Sequence, residues 1–469
     1  MSKRLTRLTG GGPVLALIVL FTINALDEAG RDGFGVVLPE IRKDFNLSLT
    51  GVLTLIAIVS IGALALQVPI ANLADRTNRV RLMWVGALGY AAFTLLTGLA
   101  PTLLVLIVAR SGAGAGKAVL DPTHNSLLAD YYDIDARPRV FSFHRAGLAV
   151  GAFSGPLLVG FLAHEFGWRL PFVVLAVPSF IVVLFALGMR EPVRGAHERR
   201  AMGASEEAIA TEESAPSFAE SWRIVWKIES LRRIWYSLPF LAASLIGFAS
   251  LASLLYDQVF GLDDRARGFA IAATEPAQLI GLVIGARLAT RFMAQGPERV
   301  LRLLSTAAYI VSGALIVFAT APNIVVAMAA HMVINGTLAI LAPGILATLS
   351  LAIPPRARSM GFSVASLWVL PGLLILPIIG SIGDHLGLRT GMLMLIPAFL
   401  IGGLVIATTA NVISKDIADV WRAAAARSEV VYERRAGRSP LLLVRGLDVA
   451  YGTVQVLFGI DLEIEEGSC

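Results

Sequence analysis

The feature that most restricts how this chain can fold is a series of apolar runs, each about twenty residues long, separated by short polar breaks. A run of that length crosses the roughly 30 Å hydrocarbon core as a helix. Hydrocarbon offers no water to backbone N–H and C=O groups, so a crossing segment must satisfy them internally, which a helix does. The first six runs fall at roughly 14–38, 50–73, 82–100, 102–129, 140–163 and 170–189. The second six fall at roughly 234–256, 268–290, 300–320, 323–349, 360–383 and 390–412. The expected fold is an all-α membrane protein with twelve transmembrane helices in two six-helix pseudo-symmetric bundles. Composition agrees, with 56% hydrophobic and 16% charged residues, where soluble domains carry roughly 25% charged. This excludes the two or three soluble domains that 469 residues would otherwise allow. The basic start, Lys3 to Arg7, is no cleaved leader: no small-residue cleavage site follows its apolar run, which continues into the charged stretch Asp27 to Asp32.

The chain divides into a first bundle (1–189), a polar linker (190–233), a second bundle (234–413), a polar helical linker (414–440) and a short β-rich tail (441–469). Lys and Arg are concentrated on one side of the spans, at Lys3, Arg4, Arg76, Arg79, Arg81, Arg137, Arg139, Arg299, Arg302 and the linker. The other side has fewer, among them Arg42, Lys43, Arg169, Arg265, Arg267 and Arg389. The positive-inside rule makes the first side cytoplasmic, with both termini inside and the lipid bilayer as partner. It also accounts for the net charge of +5 without nucleic acid. A shift of about 220 residues relates the halves. Arg137 and Arg139 recur as Arg356 and Arg358, Gly160, Gly167 and Arg169 as Gly380, Gly387 and Arg389, Arg79 as Arg299, and Pro122 as Pro343. Cys469 is the only cysteine, so no disulfide or cysteine metal site can form.

Between the second and third spans lies Ala71-Asn-Leu-Ala-Asp75-Arg76-Thr-Asn78-Arg79-Val80-Arg81. It resembles the signature loop of the major facilitator superfamily, roughly G-x-L-A-D-R-x-G-R-K. The resemblance implies a transporter in which Asp75, Arg76, Arg79 and Arg81 act as a conformational latch. Ala71 and Asn78 replace two glycines, and Asn78 is expected in the left-handed conformation that Gly supplies. A solvated basic loop is the plainer account of the same residues.

Charges inside spans point to a site, because an ionised side chain there costs several kcal/mol unless it faces a polar cavity or a partner. In the fourth span Arg110, Gly114, Lys117, Asp121 and His124 fall within about 80° of arc at 100° per residue, a stripe expected to line the central cavity. Lys117 and Asp121 stand at i,i+4, as do Asp27 and Arg31 in the first span, where Asn24 and Glu28 share the face. A structural ion pair, or a first span emerging into water near Arg31 and Asp32, would account for the same residues. The segment from Arg110 to Gly116 is similar to the R-x-x-x-G motif of facilitator transporters. In that superfamily's drug/proton antiporters an acidic residue on the first helix works with an arginine on the fourth. That resemblance assigns proton coupling to Asp27 or Glu28 with Arg110, in export of a small amphipathic molecule. In the fifth span Gly147, Gly151, Gly155 and Pro156 resemble the antiporter glycine motif, with Val159 breaking its last pair. Ordinary close helix packing explains them equally. The second half offers Glu275, His331 and Asn335, with Trp368 and Met360 nearby.

No enzyme emerges from the spans. Gly112 to Lys117 lacks the first P-loop glycine and sits in a membrane run, and the six histidines lack zinc-hydrolase spacing. No metal or other cofactor is expected. The tail alternates apolar and polar residues from Leu441 to Ile464, which argues short strands. It resembles the opening of an ABC-type ATPase, where Tyr451 would stack on adenine and the P-loop would follow beyond Cys469. ATP and magnesium would enter only with that domain complete. The chain as a whole is similar to bacterial fusions of a facilitator permease with an ABC ATPase, and an ATP-driven pump is the alternative to proton-coupled export. A bacterial plasma-membrane location follows from the same resemblance. With Cys469 replaced by Ser, single cysteines between Arg190 and Arg233 should resist an impermeant thiol reagent in intact cells and react after permeabilisation. Labelling of intact cells would reverse the orientation.

Overall fold

In a computed structural model, residues 9–133, 136–193, 218–353, 358–420, 440–451 and 454–465 are described. The first half contains α1 (Val14–Val36), α2 (Leu38–Asp44), α3 (Leu49–Arg76), α4 (Arg79–Gly98), α5 (Leu103–Tyr131), α6 (Arg137–Phe166) and α7 (Leu170–Ala186). The second contains α8 (Phe218–Lys227), α9 (Glu229–Gln258), α10 (Asp264–Met293), α11 (Pro297–Thr320), α12 (Ile324–Ala352), α13 (Arg358–Leu373), α14 (Ile375–Leu386), α15 (Leu388–Leu393) and α16 (Leu395–Thr409). Among the described residues, nine helical stretches are long and apolar enough to cross a membrane, and 170–186 and 324–340 are shorter apolar helices. The 23-residue α1 has the length but carries Asp27, Glu28, Arg31 and Asp32.

Helix starts follow local side-chain chemistry. Ser48, Asn78 and Thr102 each accept a backbone N–H of the first turn, from Gly51 at 3.1 Å, Arg81 at 2.8 Å and Val105 at 3.3 Å, and so cap α3, α4 and α5. Asn78 therefore has φ −66° rather than the expected left-handed conformation, because its side chain is worth more as a cap. The eleventh predicted span is broken at Leu374 and the twelfth at Met394. Pro377 and Pro397 lack the N–H that would reach back to residues 373 and 393, so the ladder opens there. The predicted linker ends in a helix: α8 docks onto the second half through Trp226, whose ring lies 5.5 Å from Trp222, 6.0 Å from Trp235 and 6.3 Å from Trp368. Strands β1 (Pro440–Tyr451) and β2 (Val454–Glu465) pair antiparallel in the tail, from Pro440 opposite Glu465 to Tyr451 opposite Val454.

The repeat seen in sequence returns as repeated contacts. Arg169 donates to the carbonyl of Ala100 at 3.1 Å, and Arg389 donates to that of Ala321 at 3.0 Å. The preceding Gly167 and Gly387 both take positive φ, +82° and +91°, where a side chain would be strained. Gly160 and Gly380 repeat a different role. A Cβ on Gly160 would stand 2.6 Å from the carbonyl oxygen of Asp264, and one on Gly380 would stand 2.6 Å from Cα of Thr50. These two glycines let α6 press on α10 and α14 press on α3, each pair joining one half to the other. Both crossings lie at the end of the molecule bearing Arg42, Lys43, Arg265 and Arg267, so the halves close together there. Asp384 strengthens the second crossing, accepting from Leu49 N at 2.7 Å, Thr50 N at 2.9 Å and Thr50 Oγ1 at 2.7 Å. It thereby satisfies the free donors at the start of α3.

Gly268 faces Gly160 across the first crossing, and a Cβ there would run into the Pro156 carbonyl. Gly268→Val should therefore push the two halves apart at this end. A cysteine replacing Ser253, which is fully buried and donates to the Val36 carbonyl across the halves, should then react several-fold faster with an impermeant thiol reagent, read by mass shift. An unchanged rate would mean that this end is not held by the α6–α10 contact.

Candidate functional site

The site starts from how α1 is fixed. Gly147, Gly151 and Gly155 of α6 form a flat strip against it. A Cβ at Gly147 would lie 2.8 Å from the Phe21 carbonyl, one at Gly151 would strike the Ala25 carbonyl, and one at Gly155 would lie 2.5 Å from the Ala29 backbone. From the other side the Tyr90 hydroxyl donates to the Leu26 carbonyl at 3.0 Å. Backbone contact this close leaves α1 little freedom to rotate. The carboxylates of Asp27 and Glu28 are consequently buried, at 4% and 7% exposure.

Their counter-charge comes from α5. The Lys117 ammonium hydrogen-bonds the Asp27 carboxylate and lies 3.2 Å from Glu28 Oε2. Arg31 bonds Glu28 and lies 3.3 Å from Asp32. The sequence suggested pairs within one helix. The structure ties α1 to α5 through Lys117, while Arg31 bonds Glu28 and faces Asp32; the Lys117–Asp121 pairing falls on a side chain outside the described residues. Arg31 keeps 58% of its side chain accessible, yet interacts with the charges of Asp27, Glu28 and Glu275. Glu275 lies on α10 of the other half, so Arg31 stands where the two halves face each other. Glu275 is thus the second-half residue that completes the charge cluster. The other two second-half candidates are satisfied interior groups: His331 Nδ1 bonds the Tyr256 hydroxyl at 2.9 Å, and Asn335 donates to Thr274 Oγ1 at 3.1 Å.

The stripe on α5 does not act as one surface. Arg110 sits 4.2 Å over the Phe34 ring and 5.9 Å from that of Phe172, and its buried Nε has no partner among the described residues. Lys117, two turns along the helix, is the cation bonded to Asp27 and Glu28, while the Arg110 charge also acts on Asp27. Gly114 abuts Ala63 of α3. His124 is buried and shares a hydrogen bond of 3.1 Å with His144 of α6, whose backbone carbonyl accepts from Asn24 of α1 at 3.1 Å. His144 escaped the sequence reading because a lone histidine in an apolar run carries no spacing signal. The side chain of Asp121 lies outside the described residues, as do those of Asp75, Arg76, Met360 and Tyr451.

Of the signature-loop residues, Arg79 is 2% exposed. Its guanidinium bonds Asp130 at the end of α5, Glu191 after α7 at 2.7 Å, Ser126 at 2.6 Å and the Pro192 carbonyl at 3.1 Å. Glu191 also accepts from Val80 N at 2.9 Å. One arginine therefore ties the starts or ends of three helices. Its repeat partner Arg299 is exposed and bonds only Gln295 among the described residues, so the halves are not equivalent here. Arg81 is exposed.

Two helical bundles that meet at one end, with paired charges where the halves face each other, are the architecture of a membrane transporter. The family model described as the Major Facilitator Superfamily matches residues 19–369, and the chain belongs to that family. The multidrug efflux pump LfrA of Mycolicibacterium smegmatis is 34% identical over 178 residues, 38% of this chain and 34% of that protein. Protein spinster homolog 1 of Homo sapiens is 32% identical over 205 residues, 42% of this chain and 38% of that protein. The matches span well under half the length of both relatives. A bacterial homolog of the human lysosomal transporter Spinster, solved inward-facing and unoccupied, superposes with a TM-score of 0.72 at 21% identity, covering 89% of this chain and 99% of that one. A peptide transporter solved with sulfate gives 0.65 at 15% identity, over 86% and 95%.

Arg79→Ala should leave the Asp130 and Glu191 carboxylates facing each other without their cation. Removing one partner of such a buried network costs about 3 kcal/mol or more, so the melting temperature in detergent should fall clearly. Arg79→Lys should recover only part of it, because an ammonium cannot make the same fork of bonds. Equal stability of all three proteins would make the network ornamental.

Proposed function

We propose that this transporter exports a small amphipathic compound in exchange for protons, with Asp27 and Glu28 as the carboxylates that load and release them. The observation that carries the reading is Lys117 held between those two carboxylates. Two carboxylates against one lysine, with Arg31 shared by Glu28 and Asp32, leave a cluster whose charge balance changes with one proton. A cationic or proton-bearing substrate that displaces Lys117 from Asp27 would alter the carboxylates' affinity for a proton, and that is the linkage exchange requires. Similarity to multidrug efflux pumps supports drug-like substrates and the outward direction. The contact between halves at the end poor in Lys and Arg supports a cavity facing the cytoplasm. We read twelve crossing segments, since α1 and the two shorter apolar helices join the nine, with both termini cytoplasmic in a bacterial plasma membrane. Asp75, Arg76, Arg79 and Arg81 bias the two conformations from the cytoplasmic face. The ATP-driven alternative rests on the resemblance of the tail, whose described part is a two-stranded ribbon, and no observation at the cavity favours it.

In proteoliposomes, Asp27→Asn and Glu28→Gln should each reduce substrate-driven proton flux at least tenfold while the protein remains folded. Lys117→Ala should impair flux as well but shift its pH dependence, since both carboxylates lose the cation that favours their charged form. Flux unchanged in all three would make the cluster structural and end the exchange reading.

A further inference from the structure

A second cluster of charges lies away from the cavity, where the halves close. Its centre is Arg267, fully buried at the start of α10. The guanidinium reaches into the first half, donating to the Val36 carbonyl at 2.7 Å and to Glu40 Oε2 at 2.6 Å. Within its own half it bonds the Leu262 carbonyl at 3.0 Å and the Asp264 carboxylate, and lies 3.6 Å from Asp257. Lys43 of α2 crosses the same seam to Asp257 at 3.0 Å. The neighbouring charges are engaged elsewhere: Asp263 lies 3.8 Å from His164, Arg265 lies over Phe161, and Arg42 donates to the Leu47 carbonyl.

The count of charges in this seam is uneven. Three carboxylates, Glu40, Asp257 and Asp264, share two cations, Arg267 and Lys43. Fully ionised, the closed seam would hold a surplus negative charge with little water to screen it. Glu40 and Asp264 both meet the same terminal nitrogen of Arg267, from opposite halves, and one proton between them would remove the surplus. We propose that the extracytoplasmic seam binds a proton on the Glu40–Asp264 pair only while it is closed, so that the external pH sets the balance between the two faces of the transporter. The orientation and the alternating access come from the function proposed above, but the inference does not depend on proton coupling at Asp27 and Glu28.

Burial pushes the Glu40 carboxyl up to about 7, its hydrogen bond with Asp264 adds to this, and the Arg267 charge opposes both. When the halves part, water reaches Glu40 and returns it to the ordinary carboxylate range, roughly 4.3. The closed form then binds the proton more tightly than the open form. Closure gains its full stabilisation below that ordinary range and loses it as external pH rises through about 7.

The test uses the full chain in lipid nanodiscs, with Cys469→Ser and spin labels on Glu165→Cys and His385→Cys, exposed positions on the two halves at this end. The inter-label distance distribution is measured from about pH 5 to about pH 9. The short-distance population should dominate in acid, and its ratio to the long one should fall by up to about tenfold per pH unit on the way up to about 7 and level off above it. Glu40→Gln, which imitates the protonated carboxyl, should stay in the short-distance state throughout, and Asp264→Asn should do the same. Adding Asp27→Asn and Glu28→Gln should leave the response in place, so failure of central coupling is distinguishable from failure at the seam. A response that survives Glu40→Gln, a short-distance population that grows in alkali, or no response in the unsubstituted seam would overturn the proposal.

Discussion

The structure depends on the cost of leaving a charge or a backbone polar group unpaired in hydrocarbon. That cost forces each crossing segment to be a helix, and it forces the few charges in those helices to find one another. Lys117 shows the consequence. Its ammonium sits between Asp27 and Glu28, so α5 and α1 are joined at the level where the cavity opens. Arg110 meets the same demand differently, lying on the face of Phe34, where the ring's quadrupole partly replaces a counter-ion. A charge that is only partly satisfied is the kind that can change partners, and transport needs such a change.

Close packing sets where these charges stand. The glycine strip of α6 brings its backbone against α1, and the Tyr90 hydroxyl holds α1 from the opposite side. Asp27 and Glu28 are therefore carried by a helix that cannot rotate away without disturbing α6. Directly after this strip on α6, Pro156 and Gly160 meet Gly268 of the other half. The same helix thus supports the charge site and forms one side of the closed end. The helix that holds α1 therefore also makes the contact that joins the two halves.

The halves repeat in backbone and diverge in chemistry. Arg169 and Arg389 make the same contact with a carbonyl, and Gly167 and Gly387 make the same turn. Arg79 is buried in a network tying three helices, whereas Arg299 is exposed. The first half also holds the lysine, three of the carboxylates and the histidine pair, while the second contributes Glu275. Such a division fits one bundle carrying the exchangeable charges and the other closing over them.

Apolar runs of membrane length, the basic side, the repeat and the signature loop were all legible in the sequence. Each is a local property: hydrophobicity, spacing and turn chemistry act over a few residues, so a linear reading recovers them. The breaks at Leu374 and Met394 were also written there, in Pro377 and Pro397, although the runs hid them. Partnership was not legible. The i,i+4 spacings of Lys117 with Asp121 and of Asp27 with Arg31 are the only proximity a sequence displays, and the side chain of Asp121 lies outside the described residues. Only the packing of α1, α5 and α6 brought Lys117 to Asp27 and Glu28 and His124 to His144, and only the meeting of the halves brought Glu40 to Arg267 across 227 positions of chain. Charge pairing depends on distances through space of about 3 Å, and the chain sets those distances only after its helices have packed.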